Sequence, residues 1–396
     1  MTARVMIIGA GIGGSATALA LHKAGFDVAV YEAHPETGED IGAFLTLASN
    51  GMQALGQLDA AAPVAEVGFG LTSIKVLAED GSVLSNAPLG AHEDPLTRFR
   101  CLRRAQLGAA LRAEVGRRGI PITHGARLAS ATEDADGVTI AFRDGETARG
   151  EVVIGADGLN STLRTLIDPE APAPRYAGQR VFYGYTKDIK PKCEPEEITM
   201  IPGSTAAFGF AVSPIGETYW FARVPSEKPL RATEMAATTS AQWRDLLVPI
   251  LRADDTPAAD IVAATKQELL VTNARDLPDL GNWRTARMLV IGDAAHAASP
   301  ATGQGASMAI EDAVVLAKAL RDTDSVDAGF ALYERVRRPR VEQNIANSAR
   351  MTVSRMPDRE QRAIDNEVIR QRQLQPSPRL ADEDLARQID WHTTLA

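Results

Sequence analysis

The sequence predicts an α/β fold: a mostly parallel, doubly wound sheet, a mainly antiparallel sheet inserted into it, and helices at the C-terminal end. Three observations predict it. Short apolar runs lead into glycine at Val5–Ile8, Val152–Ile154 and Met288–Ile291, and uninterrupted runs of this kind mark strands buried on both faces of a parallel sheet. Between the second and third of them, Arg180 to Val224 is rich in strand-forming residues. After the third, Met308, Val315 and Ala319 fall on helical spacing. The 396 residues exceed one ordinary core, so two domains, or one large domain carrying an insertion, are expected.

The first run is followed by Gly9-Ala10-Gly11-Ile12-Gly13-Gly14, a helical stretch from Ser15 to Lys23, and a second strand, Asp27–Glu32. In this strand–turn–helix–strand order, Gly9 permits the tight turn, Gly11 lets a pyrophosphate approach the backbone, and Gly14 lets helix and strand pack closely. The helix start would offer free N–H groups and a positive dipole end to phosphates. Glu32 stands where it could accept from a ribose diol. A Rossmann-like dinucleotide site follows, although the motif by itself does not separate FAD from NAD.

Gly155-Ala156-Asp157-Gly158 ends the second run and precedes a short helix through Leu159–Arg164; Gly292-Asp293 ends the third, followed by His296, Pro300 and Gly303-Gln304-Gly305. Ligands of doubly wound sheets gather at the carboxyl ends of the strands, so three such ends can converge on one extended cofactor. Each acid alone could instead cap the turn that follows it.

The balance of charge, −9 overall, argues against a nucleic-acid binder. Two cysteines, Cys101 and Cys193, and scattered histidines give neither a disulfide framework nor metal-ligand spacing, so no metal is expected and a reducing cytoplasm fits. No apolar stretch reaches membrane-spanning length. There is no G-x-S-x-G and no P-loop.

Together, GAGIGG (Gly9–Gly14), GADGLNSTLR (Gly155–Arg164), IGDAAHAASPATGQGASMAIEDA (Ile291–Ala313) and the helix start at Leu102–Leu107 resemble the single-component FAD-dependent aromatic hydroxylases, the p-hydroxybenzoate hydroxylase family. The resemblance implies FAD as cofactor, bound by Gly9, Gly11, Gly13, Gly14, Glu32, Arg104, Asp157, Asp293, Pro300, Gly303, Gln304 and Gly305. Arg104 would reach the pyrophosphate or ribityl region and Asp293 a ribityl or ribose hydroxyl. Asp157 and Arg164 belong to the motif shared with nicotinamide access, and Pro300 with Gly303–Gly305 would line the isoalloxazine ring. NADPH or NADH and O2 are the implied cosubstrates, and a flavin C4a-hydroperoxide the implied oxygen donor. His296 reads as structural rather than as a base.

In the family the FAD-binding domain is discontinuous. Here it would take residues 1–70, 99–175 and 276–350, with 71–98 and 176–275 forming the substrate domain and 351–396 a C-terminal helical tail. Leu71–Leu77 and Val83–Leu84 should form a hairpin about the Asp80-Gly81 turn. Tyr183, Tyr185, Phe210, Trp220 and Arg223 are the candidates for pocket lining, while no general base stands out. The arginines of the helical run 328–350 (Arg335, Arg337, Arg338 and Arg340) are expected on a solvated face.

The function expected is hydroxylation or epoxidation of a small, electron-rich aromatic such as a phenol, an indole or a polyketide-like polycycle, in specialised metabolism, by a soluble monomer or homodimer. A reductase or dehydrogenase, an oxygenase fed by a partner flavin reductase, and an FAD-bound redox-neutral cyclase share the same motifs. A flavin halogenase is disfavoured, because the W-x-W-x-I-P segment is missing.

Overall fold

The computed structural model describes residues 4–35, 42–90, 94–279, 281–352, 355–374 and 389–395. The chain opens with β1 (Arg4–Ile8), α1 (Ile12–Lys23) and β2 (Asp27–Glu32). It then runs through β3 (Phe44–Leu47), α2 (Ser49–Gln57), α3 (Ala61–Ala65), β4 (Phe69–Leu71) and a hairpin, β5 (Ser73–Leu77) with β6 (Val83–Pro88). It returns through β7 (Phe99–Arg103), α4 (Arg104–Arg117), β8 (Ile122–His124), a meander of β9 (Leu128–Glu133), β10 (Val138–Phe142) and β11 (Thr147–Gly150), then β12 (Val152–Gly155) and α5 (Thr162–Ile167). A second excursion holds β13 (Arg175–Thr186), β14 (Glu197–Ile201), β15 (Ala207–Val212), β16 (Thr218–Pro225), α6 (Ala232–Ala237), α7 (Ser240–Leu251), α8 (Ala258–Ala264) and β17 (Leu270–Asp276). The chain then adds β18 (Met288–Val290), α9 (Asp293–His296), α10 (Gly305–Arg321), α11 (Val326–Met351) and α12 (Arg359–Leu374).

Two sheets organise the molecule. The parallel one has the order β18-β12-β1-β2-β8. β12 and β18 are buried throughout and β1 from Val5 onward, which is why they read as continuous apolar runs. The second has the order β17-β13-β16-β15-β14-β5-β6 and is antiparallel except where β5 lies parallel to β14. The fold is thus α/β, with a Rossmann-like domain, an antiparallel sheet inserted into its sequence, and C-terminal helices. The expected hairpin forms about Asp80-Gly81, with Gly81 at φ 75°.

α1 begins at Ile12, three residues earlier than its side chains suggest, so Gly13 and Gly14 lie inside the helix. Helix α11 corrects the expectation of a solvated arginine face. Arg337 and Arg340 are buried, only 1% and 8% exposed, because they stand one turn apart and meet Glu311 and Asp312 of α10. Of the expected tail, α12 and the turn at 389–395 are seen, and residues 375–388 lie outside the described set. Among the described residues no helix is long and apolar enough to cross a membrane.

Candidate active site

Because β18, β12 and β1 are neighbours, the segments beyond their carboxyl ends lie side by side. At the end of β1, Gly9 adopts φ 101°, and a Cβ there would sit 2.6 Å from the Ala156 carbonyl oxygen. At Gly14 a Cβ would be 1.9 Å from the Gly9 oxygen, so α1 packs backbone to backbone on the turn. Around Gly11 nothing lies within 4 Å of the same position. That is the open flank a pyrophosphate needs, at a helix start that no side chain caps. Gly13 faces elsewhere: a Cβ there would lie 3.4 Å from the Ala309 Cβ of α10. Glu32 accepts from the Ala10 N–H at 2.7 Å and from the His34 N–H at 2.9 Å, which fixes its carboxylate beside the loop.

Asp157 has a structural task. It accepts from Ser161 Oγ at 2.5 Å, Thr162 N at 2.8 Å and Leu163 N at 3.2 Å, capping α5. Arg164 is buried and donates to the Ala294 and Leu159 carbonyls, tying α5 to α9. Asp293, by contrast, is exposed, and its Oδ1 lies 3.8 Å from where a Gly305 Cβ would stand. Pro300, Gly303 and Gly305 are exposed on the same segment, Gly303 at φ 66°, and no side chain caps α10. Gln304 accepts from Asn50 of α2.

The turn carrying Asp293 is held from behind by a buried ion cluster that the sequence did not disclose. Asp312 accepts from Gly292 N at 2.9 Å and Arg337 Nε at 2.7 Å, and its Oδ2 is 2.6 Å from His296 Nε2. Glu311 accepts from Asn50, Arg337 and Arg340. His296 is therefore structural, and the cluster ties α2, α9, α10 and α11 together. Another side chain missed from the sequence is Arg112 of α4, which points its guanidinium at the glycine turn (Nη1 3.5 Å from the Ala10 oxygen) while its buried Nε lacks a partner.

The antiparallel sheet presents one face to this region and one to helices. Trp220 and Phe210 lie on the helix face with Phe182, Phe208 and Trp243, and the Trp220 indole donates to Thr265. Both are core, so they do not line the pocket as expected. Along β16, alternation puts Tyr219, Phe221 and Arg223 on the opposite face, and β13 adds Tyr183 and Tyr185 in register. Phe44 of β3 covers these rings, with centroids 6.1 Å from Tyr183, 6.4 Å from Tyr185, 5.7 Å from Tyr219 and 6.1 Å from Phe221. The Tyr185 hydroxyl donates to the Gly42 carbonyl at 2.7 Å, and the Arg103 guanidinium stacks 4.2 Å from its ring centroid. Strand β3 thereby bridges the sheets, since Thr46 Oγ1 stands 3.2 Å from a Cβ placed on Gly303.

Burial pushes the Tyr183 hydroxyl up to about 12, although Arg223 and Arg104 pull the other way, and burial also raises Tyr185 and Tyr219. All three stay protonated at neutral pH, so this wall offers rings and donors rather than a base. Arg104 is exposed at the first position of α4, close enough for its charge to act on Tyr183.

The residues present fit an FAD. The open flank at Gly11 and the bare start of α1 suit a pyrophosphate. The exposed Asp293 suits a sugar hydroxyl, and the glycine-rich start of α10 suits the electron-rich edge of a flavin. Comparison with known proteins agrees. A family model described as an FAD binding domain matches residues 2–348. The aurachin C monooxygenase/isomerase of Stigmatella aurantiaca is 30% identical over 359 residues, covering 88% of this chain and 88% of that protein. The 3-amino-4-hydroxybenzoate 2-monooxygenase PtnB3 of Streptomyces platensis is 32% identical over 354 residues, covering 85% of each. The crystal structure of Klebsiella pneumoniae HpxO complexed with FAD and uric acid matches with a TM-score of 0.83 at 26% identity, covering 97% of this chain and 96% of that one. With its strand-end glycines, its aromatic-faced second sheet and relatives along most of its length, the chain belongs to the FAD-binding-domain family of aromatic hydroxylases and is an FAD-dependent monooxygenase.

Proposed function

We propose that the enzyme uses NADPH or NADH and O2 to hydroxylate or epoxidise a small, electron-rich aromatic molecule held between the flavin and the aromatic face of the antiparallel sheet. The observation that carries this reading is the placement of β3. Its Phe44 packs on Tyr183, Tyr185, Tyr219 and Phe221 while its Thr46 adjoins Gly303, so this one strand stands between the glycine turn proposed for the flavin and the rings of the second sheet. FAD, when bound, supplies the hydride acceptance and oxygen activation that no side chain can.

The protein's part is positional. The start of α10 would direct N–H groups at negative charge on the ring, Phe44 and the tyrosines would help keep water from it, and Arg104, whose charge acts on Tyr183, would reach the cofactor's phosphates. The relatives act on flat rings by name, uric acid being bound by HpxO and 3-amino-4-hydroxybenzoate being the substrate of PtnB3; a planar aromatic is the corresponding substrate here.

Anaerobic mixing of the yellow holoprotein with NADPH or NADH tests the reading. Bleaching of the flavin band near about 450 nm, faster with candidate aromatics, is expected of a self-sufficient monooxygenase. No bleaching under any combination would assign reduction to a partner reductase or make the flavin's role redox-neutral.

The assignment of Asp293 is tested separately. Asp293→Ala should fold normally and retain little FAD, having lost hydrogen bonds worth roughly 1.5–3 kcal/mol. Glu32→Ala should weaken FAD less. Full flavin content in the Asp293 variant would remove that residue from the site.

A further inference from the structure

Three helices of the Rossmann-like domain begin at the cofactor site. α1 starts beside Gly11 and α10 at Gly305, and Asn50 at the start of α2 donates to Gln304, just ahead of α10. Their far ends meet as well. Lys23, the last residue of α1, donates to the carbonyl of Gln57, the last of α2, at 2.6 Å and to Asp59 at 2.7 Å. Residues 389–395 lie across this junction and the end of α10. At 1.5 Å per residue α1 is about 18 Å long and α10 about 25 Å, so this junction is well removed from the cofactor.

The contacts of this segment are specific. Trp391 is only 6% exposed and packs in the main core, with two cations near its ring: Lys23 Nζ 5.3 Å and the Arg321 guanidinium 5.0 Å from the centroid. Its N–H donates to Gln57 Oε1 at 2.8 Å, and its carbonyl accepts from Arg321 Nη1 at 2.8 Å. Lys318, one turn before the end of α10, is buried and turns its ammonium to the same segment. It donates to the Asp390 carbonyl, to the Thr393 carbonyl at 2.7 Å and to the Thr393 hydroxyl at 3.3 Å. The Leu395 N–H donates to Asp322 at 2.9 Å, and Ile389 and Leu395 pack against the core.

We propose that Lys23, Gln57, Lys318, Arg321 and Asp322 form a peptide-docking site whose occupant is this chain's own segment 389–395, and that its occupation is linked to FAD binding. The segment clasps the ends of the three helices whose starts form the cofactor site. α10 packs along both α1 and α2, so fixing the layer at one end restricts how its starts stand at the other. Such linkage is reciprocal: the factor by which the docked segment tightens FAD is the factor by which FAD tightens the segment. The proposal rests on the placement of FAD at these helix starts, which Asp293→Ala tests separately.

The test uses the full-length chain. Trp391→Ala should lower FAD affinity about tenfold, measured by titrating apoprotein with FAD well below its melting temperature. A free peptide of residues 389–395, added in excess to that variant, should restore the affinity, and the same peptide carrying Trp391→Ala should not. In the wild type, hydrogen exchange should show the Trp391 and Leu395 amides about tenfold better protected with FAD than without it. This last measurement needs no variant, so it decides the matter even where Trp391→Ala folds poorly.

Unchanged FAD affinity in Trp391→Ala, whatever its melting temperature, would make the segment a structural clip and overturn the proposal. So would rescue by both peptides or by neither, and equal protection of the two amides in apoprotein and holoprotein. Failure of the cofactor's placement shows in Asp293→Ala, and failure of the docking site in the peptide and exchange measurements, so the two are told apart.

Discussion

Asp312→Ala should destabilise the holoenzyme by about 3–5 kcal/mol, read as a fall in thermal midpoint and in denaturant midpoint. Asp312 is fully buried and holds Gly292 N, His296 and Arg337 at once. Its removal leaves Arg337 with Glu311 as its remaining counter-ion and its Nε unpaired, takes the partner from His296, and frees the turn that carries Asp293, so FAD should dissociate more readily too. The loss measures those orphaned partners, and Asp312→Asn, which retains an acceptor, should cost less. Burial alone would raise the Asp312 carboxyl, but His296 and Arg337 more than reverse it and hold it well below the usual carboxylate range. A carboxylate depressed on folding adds stability above its unfolded value, about 3.9, and loses it as the pH falls below that. The wild type should therefore weaken more steeply in acid than Asp312→Ala. A loss under about 1 kcal/mol would show that the cluster does not brace this turn.

Gly14→Ala and Gly11→Ala should separate folding from cofactor binding. At Gly14 the added methyl would stand 1.9 Å from the Gly9 oxygen and 3.3 Å from the Ala156 Cβ. Backbone must move, and about 3 kcal/mol or more of stability should go with the flavin. At Gly11 the methyl meets nothing within 4 Å, and φ −70° with ψ −169° suits any residue. That variant should melt normally as apoprotein and bind FAD poorly, because the methyl occupies the pyrophosphate's approach. Equal FAD affinity in Gly11→Ala and wild type would move the pyrophosphate elsewhere.

The contrast between these two glycines shows what the sequence can disclose. A glycine loop is written in local terms: a strand, a turn needing φ above zero, and a helix start. The parallel sheet was legible for the same reason, since strands buried on both faces carry their signal within a few residues. The ring-bearing face of the second sheet was harder to read. Trp220 and Arg223 stand three apart on one strand and so must face opposite ways, a parity that favours Tyr219 and Phe221 over Trp220 once it is applied. Phe210 fails on the same count, as its neighbour Gly209 is the residue facing Phe221. Phe44 carried no signal, because its importance arises only when β3 meets a sheet more than a hundred residues away. Arg337 and Arg340 looked solvated because their partners lie in another helix, and Asp157 shows that an acid at a strand end can be spent on a cap.

The strand order also bears on how the chain is made. β1 pairs with β12 and β12 with β18, so the parallel sheet lacks one edge until residue 290 has left the ribosome. The hairpin β5–β6 likewise waits for β14, more than a hundred residues later. Pairings this distant are slow to form and leave apolar strands uncovered meanwhile. The Gly9–Gly14 loop is among the first parts synthesised, yet its opposite wall, Gly292 to Gly305, is among the last. An FAD that needs both walls can bind only after residue 305 has been made, so yellow colour would report a chain whose parallel sheet has closed.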